Sequence, residues 1–462
     1  MATPSAPNSL HARDIASVIH HQTDLVAYRE TGGTLMARGD GVYVYDDNGK
    51  RYLEAMAGLW CASLGFSERR LAEAAYRQML EIPYYHQYFA KGNIPSVELA
   101  ARLLALAPVP MSKVLFACTG SEANDAAIKL VWYYHNVIGK PEKRKIIGRW
   151  RGYHGTSVAT VSLSGQPPMH QLFGLPLPDF RHAENPNYYR LHEDGESEEA
   201  YATRMADALE RQILAEGPDT VGAFFGEPVQ GAGGAITPPA GYWQKIQAVL
   251  RKYDVLLVAD EVICGFGRTG SVWGCQTYDM APDMLTCAKA LSASYQPISA
   301  VLISDRIYQA MLEGSRKVGV FAHGSTYAGH PVPSAVALET LKIYEERGIF
   351  EHVREVSPVM QGGLKSTEEH PLVGNARGVG LIAGVELMAG KQSRTPFPAE
   401  AKAGARVEAA CMEAGLVVRA IGDRIAFTPP LIISAAELGE MVTLFRQGLD
   451  AALPSLQRYL CD

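Results

Sequence analysis

No stretch of this 462-residue chain approaches the roughly 18 uninterrupted apolar residues that a membrane-spanning helix needs. The N-terminal MATPSAPNSLHARD has no apolar core of the kind that marks a secretory leader. Cysteine is sparse as well. Cys61, Cys118, Cys264, Cys275, Cys287, Cys411 and Cys461 form no C-x-x-C pair and no Cys/His metal spacing, and their number is odd. Neither a disulfide framework nor a metal site is expected, and a reducing compartment fits. Basic excess is missing too: 43 Lys and Arg against 49 Asp and Glu leave a net charge of -6, without the positive footprint of a nucleic-acid-binding protein. These absences together read as a cytoplasmic protein with no membrane, nucleic-acid or metal partner.

What is abundant is glycine. The chain has 44, where average usage would give about 32, so many backbone positions need tight turns or close approach. Apolar residues at 47% and charged residues at 20% are otherwise those of an ordinary folded protein. The first nine or so residues, rich in Pro, Ser and Ala, read as disordered. Residues 41–60 read as a hairpin: alternating Val42-Tyr43-Val44-Tyr45, a turn at Asp47-Asn48-Gly49, and Arg51-Tyr52-Leu53 returning. From about 113 to 304 the runs KVLFACTG, KIIGRW, VGAFFGEP, VLLVADE, MLTCAK and ISAVLIS alternate with longer helical stretches. Each run is apolar on both faces, as strands of a parallel sheet covered by helices are. Tyr201, Met205, Ala208, Leu209 and Ile213 recur at helical spacing over 197–214. Beyond 330, HPLVGNARGVGLIAGVELM reads as a Gly-rich hairpin, and Ser434-Ala435-Ala436-Glu437 as a capping box opening a last helix. The expected fold is α/β: a large domain with a mostly parallel central sheet over 76–330, and a small α+β domain built from 1–75 and 331–462.

In open α/β sheets, ligands bind at the carboxyl ends of the strands. KVLFACTG runs into Thr119-Gly120-Ser121 and then a helical stretch. That corner is either an anion site at a helix N-terminus or a plain turn with Ser as the helix cap. VLLVAD ends in Asp260, and VGAFFG in Glu227, so two carboxylates arrive at one edge. Each is expensive to bury unless partnered, and each could serve as a cap or as the partner of a buried cation. MLTCA ends in Lys289, flanked by Ala288 and Ala290; an ammonium held among apolar residues loses hydration and becomes a nucleophilic amine. Tyr153, in Arg151-Gly152-Tyr153-His154-Gly155, has room to lie flat against a ring. Together a phosphate corner, a carboxylate for a pyridinium nitrogen, a Schiff-base lysine and a stacking aromatic are the parts that pyridoxal 5'-phosphate requires.

The motifs TGSEAND (119–125), RGYHG (151–155), GEPVQGAGG (226–234), ADEVICGFGRTG (259–270), AKALSASYQPISA (288–300) and STYAGHP (325–331) resemble those of the class III pyridoxal-phosphate aminotransferases, in the ω-amino acid:pyruvate transaminase branch. The resemblance implies fold type I and a homodimer or tetramer with shared active sites. By motif position it makes Lys289 the catalytic Schiff-base lysine and Gly120 and Ser121 the phosphate ligands. Tyr153 and Val262 become the two faces of the ring sandwich, Asp260 the ring-nitrogen partner and Glu227 a supporting carboxylate. Thr326 resembles the threonine that reaches the phosphate from the other subunit. Trp60, Tyr88 and Tyr153 are expected at the substrate pocket, with Arg419 in the position of the mobile arginine that grips a carboxylate. The implied reaction moves an amino group from an ω-amino acid or amine to pyruvate or another keto acid. A PLP-dependent aminomutase or decarboxylase on the same fold is the alternative. Two positions depart from the family: Ser294 replaces a usual glycine, and Ser325 replaces a usual aromatic, which predicts a roomier pocket entrance.

Overall fold

The computed structural model describes residues 8–461. The disorder expected of the first residues falls mostly outside that range; within it, Ser9 caps the helix Leu10–Ser17, its hydroxyl accepting from the Ala12 N–H at 3.2 Å.

A seven-stranded sheet forms the centre. Its spatial order is Lys113–Ala117, Ser299–Ile303, Met284–Cys287, Leu256–Asp260, Val221–Gly226, Lys145–Arg149 and Phe180–Ala183. Neighbouring side chains along one strand enter opposite cores. Phe224, Leu257 and Leu302 pack with the helices Glu198–Glu216 and Tyr242–Lys252, while Phe225, Val258 and Val301 pack with Gly120–Val137 and Asp305–Val318. Every residue of the four strands from Val221–Gly226 to Ser299–Ile303 is buried, which is why these strands read as unbroken apolar runs. The expected mostly parallel sheet is present, with one strand reversed: Ser299–Ile303 pairs antiparallel with both neighbours. A run buried on both faces carries no information about chain direction. The edge strand Phe180–Ala183 escaped the sequence reading because Arg181 and His182 break its apolar pattern.

The two chain ends meet in a second sheet. The antiparallel strands Met36–Asp40, Tyr43–Asp46 and Arg51–Glu54 are extended in parallel by Leu416–Val417. A third sheet joins the Gly-rich hairpin, Val373–Val379 and Ile382–Leu387, to Arg424–Phe427 and Arg419–Ala420. The helix expected over 197–214 runs Glu198–Glu216 and buries Tyr201, Met205, Leu209 and Ile213, with Ala208 only half-buried. The last helix, Ala435–Leu456, opens with the expected capping box and buries Leu438, Met441, Phe445 and Leu449. Among the described residues no helix is long and apolar enough to cross a membrane.

Candidate active site

The carboxyl ends of the central strands open on a cavity of about 500 Å³. Of the eleven residues singled out in the sequence, nine line it: Trp60, Gly120, Ser121, Tyr153, Glu227, Asp260, Val262, Lys289 and Arg419. Tyr88 and Thr326 do not.

At the end of Lys113–Ala117 the chain turns into the helix Gly120–Val137. Its N-cap is Thr119, whose hydroxyl accepts from the Glu122 N–H at 3.2 Å. Ser121 is therefore not the cap. It lies in the first turn, where N–H groups have no intrahelical acceptor and the dipole favours an anion. Two glycines make the corner possible. A Cβ on Gly120 would stand 3.1 Å from Val262 Cγ1, and one on Gly155, at φ +140°, would stand 2.6 Å from Ser121 Oγ.

The Asp260 carboxylate is held from three directions. His154 Nδ1 lies 2.8 Å from Oδ2, Asn124 Nδ2 donates to Oδ2 at 2.8 Å, and the Val262 N–H donates to Oδ1 at 3.0 Å. Asn124 is itself fixed by Thr286 Oγ1, which donates to Asn124 Oδ1 at 2.9 Å. Both supporting residues belong to motifs picked out in the sequence, TGSEAND and RGYHG, but their task became visible only in three dimensions. Glu227 is buried beside them. Its Oε1 accepts from the Tyr153 N–H at 3.3 Å, Arg149 Nη2 stands 3.6 Å from Oε2, and burial pushes the carboxyl up.

Lys289 has its amine pulled below the ordinary lysine value, chiefly by burial and against the attraction of Asp260 and Glu227, with Arg419 adding repulsion. Its residue surface is still partly accessible from the cavity, and Nζ makes no hydrogen bond among the described residues. Its backbone sits at φ +50°, a left-handed conformation costing about 1–3 kcal/mol for a non-glycine residue. A lysine deprived of partners and held under backbone strain is placed for reactivity rather than for stability.

The opposite wall comes from the chain ends. Trp60 is buried and, like Gly58, takes a positive φ in the irregular turn after Glu54. Burial pushes the Glu54 carboxyl up to about 7, and its Oε1 anchors the turn by accepting from the Met56 N–H at 2.9 Å. Arg419 is half-buried on the wall, with no ion pair among the described residues. Sequence reasoning missed His21, Gln22 and Glu408, which also line the cavity. No local pattern marks them, since they arrive through packing of the N-terminal segment and of the helix Ala403–Ala414.

Tyr88 is displaced from the expected pocket. A Cβ on Gly324 would stand 2.7 Å from its hydroxyl, so Tyr88 packs beside the segment carrying Thr326, which is exposed. Tyr84 Oη donates to the Thr326 carbonyl at 2.7 Å, and Asn93 Nδ2 to the Gly329 carbonyl at 2.8 Å. Ser325 lies in the same segment near Cys118 and does not line the cavity, so within one chain it widens no entrance. Ser294, the other departure, takes φ +65°, the region where glycine is unstrained.

The residues fit pyridoxal phosphate on two observations beyond their identity. Close approach at Gly120 and Gly155 leaves a cradle that side chains would fill, and three buried polar atoms of cavity-lining residues, Trp60 Nε1, His154 Nε2 and Glu227 Oε2, lack hydrogen-bond partners among the described residues. This sheet order, with a desolvated lysine, a clamped carboxylate and a helix N-terminus at its strand ends, defines a pyridoxal-phosphate enzyme of fold type I. The class-III aminotransferase family matches residues 27–449, and the chain belongs to that family, whose cofactor is pyridoxal phosphate. It is 48% identical to gamma aminobutyrate transaminase 3, chloroplastic, of Solanum lycopersicum over 93% of this chain and 82% of the other. It is also 48% identical to the vanillin aminotransferase of Capsicum chinense, over 90% and 91% respectively. The crystal structure of the omega transaminase from Pseudomonas jessenii in complex with PMP superposes with a TM-score of 0.95 at 49% identity, covering 96% of this chain and 98% of that one.

Proposed function

We propose that this aminotransferase moves an amino group from an ω-amino acid or a simple amine to pyruvate, giving alanine and an aldehyde or ketone in two half-reactions. The observation that carries this reading is Arg419. It has no ion-pair partner among the described residues and stands on the wall of a cavity that holds the Lys289 amine and offers apolar side chains such as Met56, Trp60 and Ile263 beside its polar ones. A planar guanidinium meets a carboxylate in two hydrogen bonds, which suits pyruvate and ω-amino acids. Apolar walls suit an amine without a carboxylate. The two relatives' names span that range, since gamma-aminobutyrate carries a carboxylate and vanillin, an aromatic aldehyde, does not.

Bound pyridoxal phosphate supplies the electron sink and carries the amino group between half-reactions. The protein contributes the rest. Gly120 and Ser121 would hold the phosphate and Asp260 the ring nitrogen, while Tyr153 and Val262 would pack the two ring faces. Lys289 Nζ would carry the cofactor's covalent link and then, once displaced, move a proton at the substrate carbon.

A second copy of the chain completes the site in this proposal, because Tyr88 and Thr326 are expected near substrate and phosphate but lie outside their own cavity. An amine-donor panel with pyruvate, read as alanine formed, tests the reaction. Alanine appears with both 4-aminobutyrate and 1-phenylethylamine, and without release of CO2. Lys289→Ala loses turnover and the borohydride-reducible cofactor linkage; retained turnover would overturn the assignment.

A further inference from the structure

Three carboxylates line the cavity: Asp260, Glu227 and Glu408. Asp260 is engaged by His154, Asn124 and Val262, and Glu227 by Arg149 and Tyr153. Glu408 has no side-chain partner among the described residues. It projects from the helix Ala403–Ala414, and its Oε1 accepts from the Ala420 N–H at 3.1 Å, the peptide immediately after Arg419. Its other oxygen takes no hydrogen bond among the described residues. Burial pushes the carboxyl up, and the charge of Arg419 works against that shift. The two groups thus sense one another without forming an ion pair in this conformation.

A half-buried carboxylate is a burden unless a cation can reach it. A guanidinium left without an ion pair on the cavity wall is in the same position. Arg419 and Glu408 share a wall, and the backbone tie to Ala420 anchors the carboxylate at the root of the arginine's own side chain. A long, flexible arginine can therefore occupy two places: inward, on a substrate carboxylate, or withdrawn, on Glu408.

We propose that Glu408 is the internal counter-ion of Arg419, competing with the substrate carboxylate and thereby setting the balance between carboxylate-bearing and neutral amines. The inference rests on the reading of Arg419 given above. Glu408 is a positioning residue that acts through Arg419 and touches no reacting atom. A ligand shifts such a two-place equilibrium only by its differential affinity, so removing the competitor strengthens every carboxylate ligand and weakens neutral ones.

Glu408→Gln in the holoenzyme separates charge from structure, because the amide oxygen still accepts from Ala420 N–H. Butanoate, an unreactive carboxylate, is titrated by the cofactor absorbance, and the amine half-reaction with 1-phenylethylamine is followed in single turnover. The expected result is butanoate binding tighter by about fivefold, at the low end of usual coupling energies, with the half-reaction of 1-phenylethylamine slowed by a similar factor. Glu408→Asp, which restores the charge, returns both values toward those of the unaltered enzyme. Equal changes for both ligands, or none, in Glu408→Gln overturn the inference. Arg419→Ala is the separating control: if it weakens butanoate while Glu408→Gln changes nothing, only the role of Glu408 falls. If butanoate binds Arg419→Ala unweakened, the carboxylate-gripping role of Arg419 falls as well.

Discussion

Thr119 and Ser121 stand two residues apart at one strand end and have separate tasks. The Thr119 hydroxyl closes the first turn by accepting from Glu122 N–H, and Glu122 Oε2 reciprocates by accepting from the Cys118 N–H at 2.7 Å. Ser121 Oγ accepts from the Thr156 N–H at 3.1 Å, and Thr156 is exposed, so water replaces that partner readily. Thr119→Val then costs about 1 kcal/mol of helix stability and lowers the melting midpoint of the cofactor-free protein in calorimetry. Ser121→Ala leaves that midpoint in place and weakens cofactor binding, read by titration of the apoprotein; equal melting loss in both variants would contradict the division. The sequence left this corner open between a cap and an anion site, because serine suits both. Only the backbone geometry shows that the threonine two residues earlier is the cap. Glu408 and Gln22 were wholly illegible, since no local pattern around them marks a cavity that most of its other lining residues reach from distant parts of the chain.

At the scale of elements, Glu386 fastens three segments together. It is fully buried on Ile382–Leu387 and accepts from Arg190 Nε at 2.5 Å, Arg377 Nη2 at 2.8 Å, Arg424 Nε at 2.9 Å and Asn187 Nδ2 at 3.0 Å. Asn187 and Arg190 follow the edge strand Phe180–Ala183, so this cluster ties the central sheet to the hairpin sheet. Against the cost of burial, the three guanidiniums hold the carboxyl far below its ordinary 4.5. A depressed carboxyl contributes stability that is present above the unfolded value of 4.5 and is lost as pH falls toward the folded one. Glu386→Gln leaves the buried Arg424 and the half-buried Arg190 and Arg377 without their anion and costs about 3–5 kcal/mol near neutrality. Melting midpoints followed from pH 7 to pH 3 therefore drop less steeply in Glu386→Gln than in the unaltered protein; parallel curves would remove Glu386 from the acid limb. The cluster shows where pattern reading stops. The Gly-rich hairpin and the all-buried strands announced themselves through glycine spacing and unbroken apolar runs. The polar edge strand, and the arginine-bound carboxylate on the hairpin strand, did not, because a charged residue in a strand reads as surface until its partners are seen.

For the molecule as a whole, the decisive fact is that Tyr88 and Thr326 lie outside the cavity of their own chain, Thr326 being the residue the resemblance assigns to the other subunit's phosphate. Around them and on the neighbouring helices the chain exposes large apolar side chains: Phe89 is 83% exposed, Ile94 76%, Leu80 71% and Tyr327 63%. Large exposed apolar side chains in one region of a chain are the raw material of an association site. If a second copy covers it, each cavity gains the other chain's Tyr88 and Thr326, and neither chain is complete alone. The unaltered protein then sediments at twice the 50.1 kDa chain mass. The double substitution Phe89→Asp with Ile94→Asp places charge on two side chains that are already solvated in the single chain, so folding is little affected and circular dichroism stays that of the unaltered protein. The expected product is a folded monomer whose turnover is lost although Lys289, Asp260 and Arg419 are untouched. A folded monomer that keeps its turnover would show that one chain suffices, and an unaltered protein that sediments as a single chain would remove the shared site altogether.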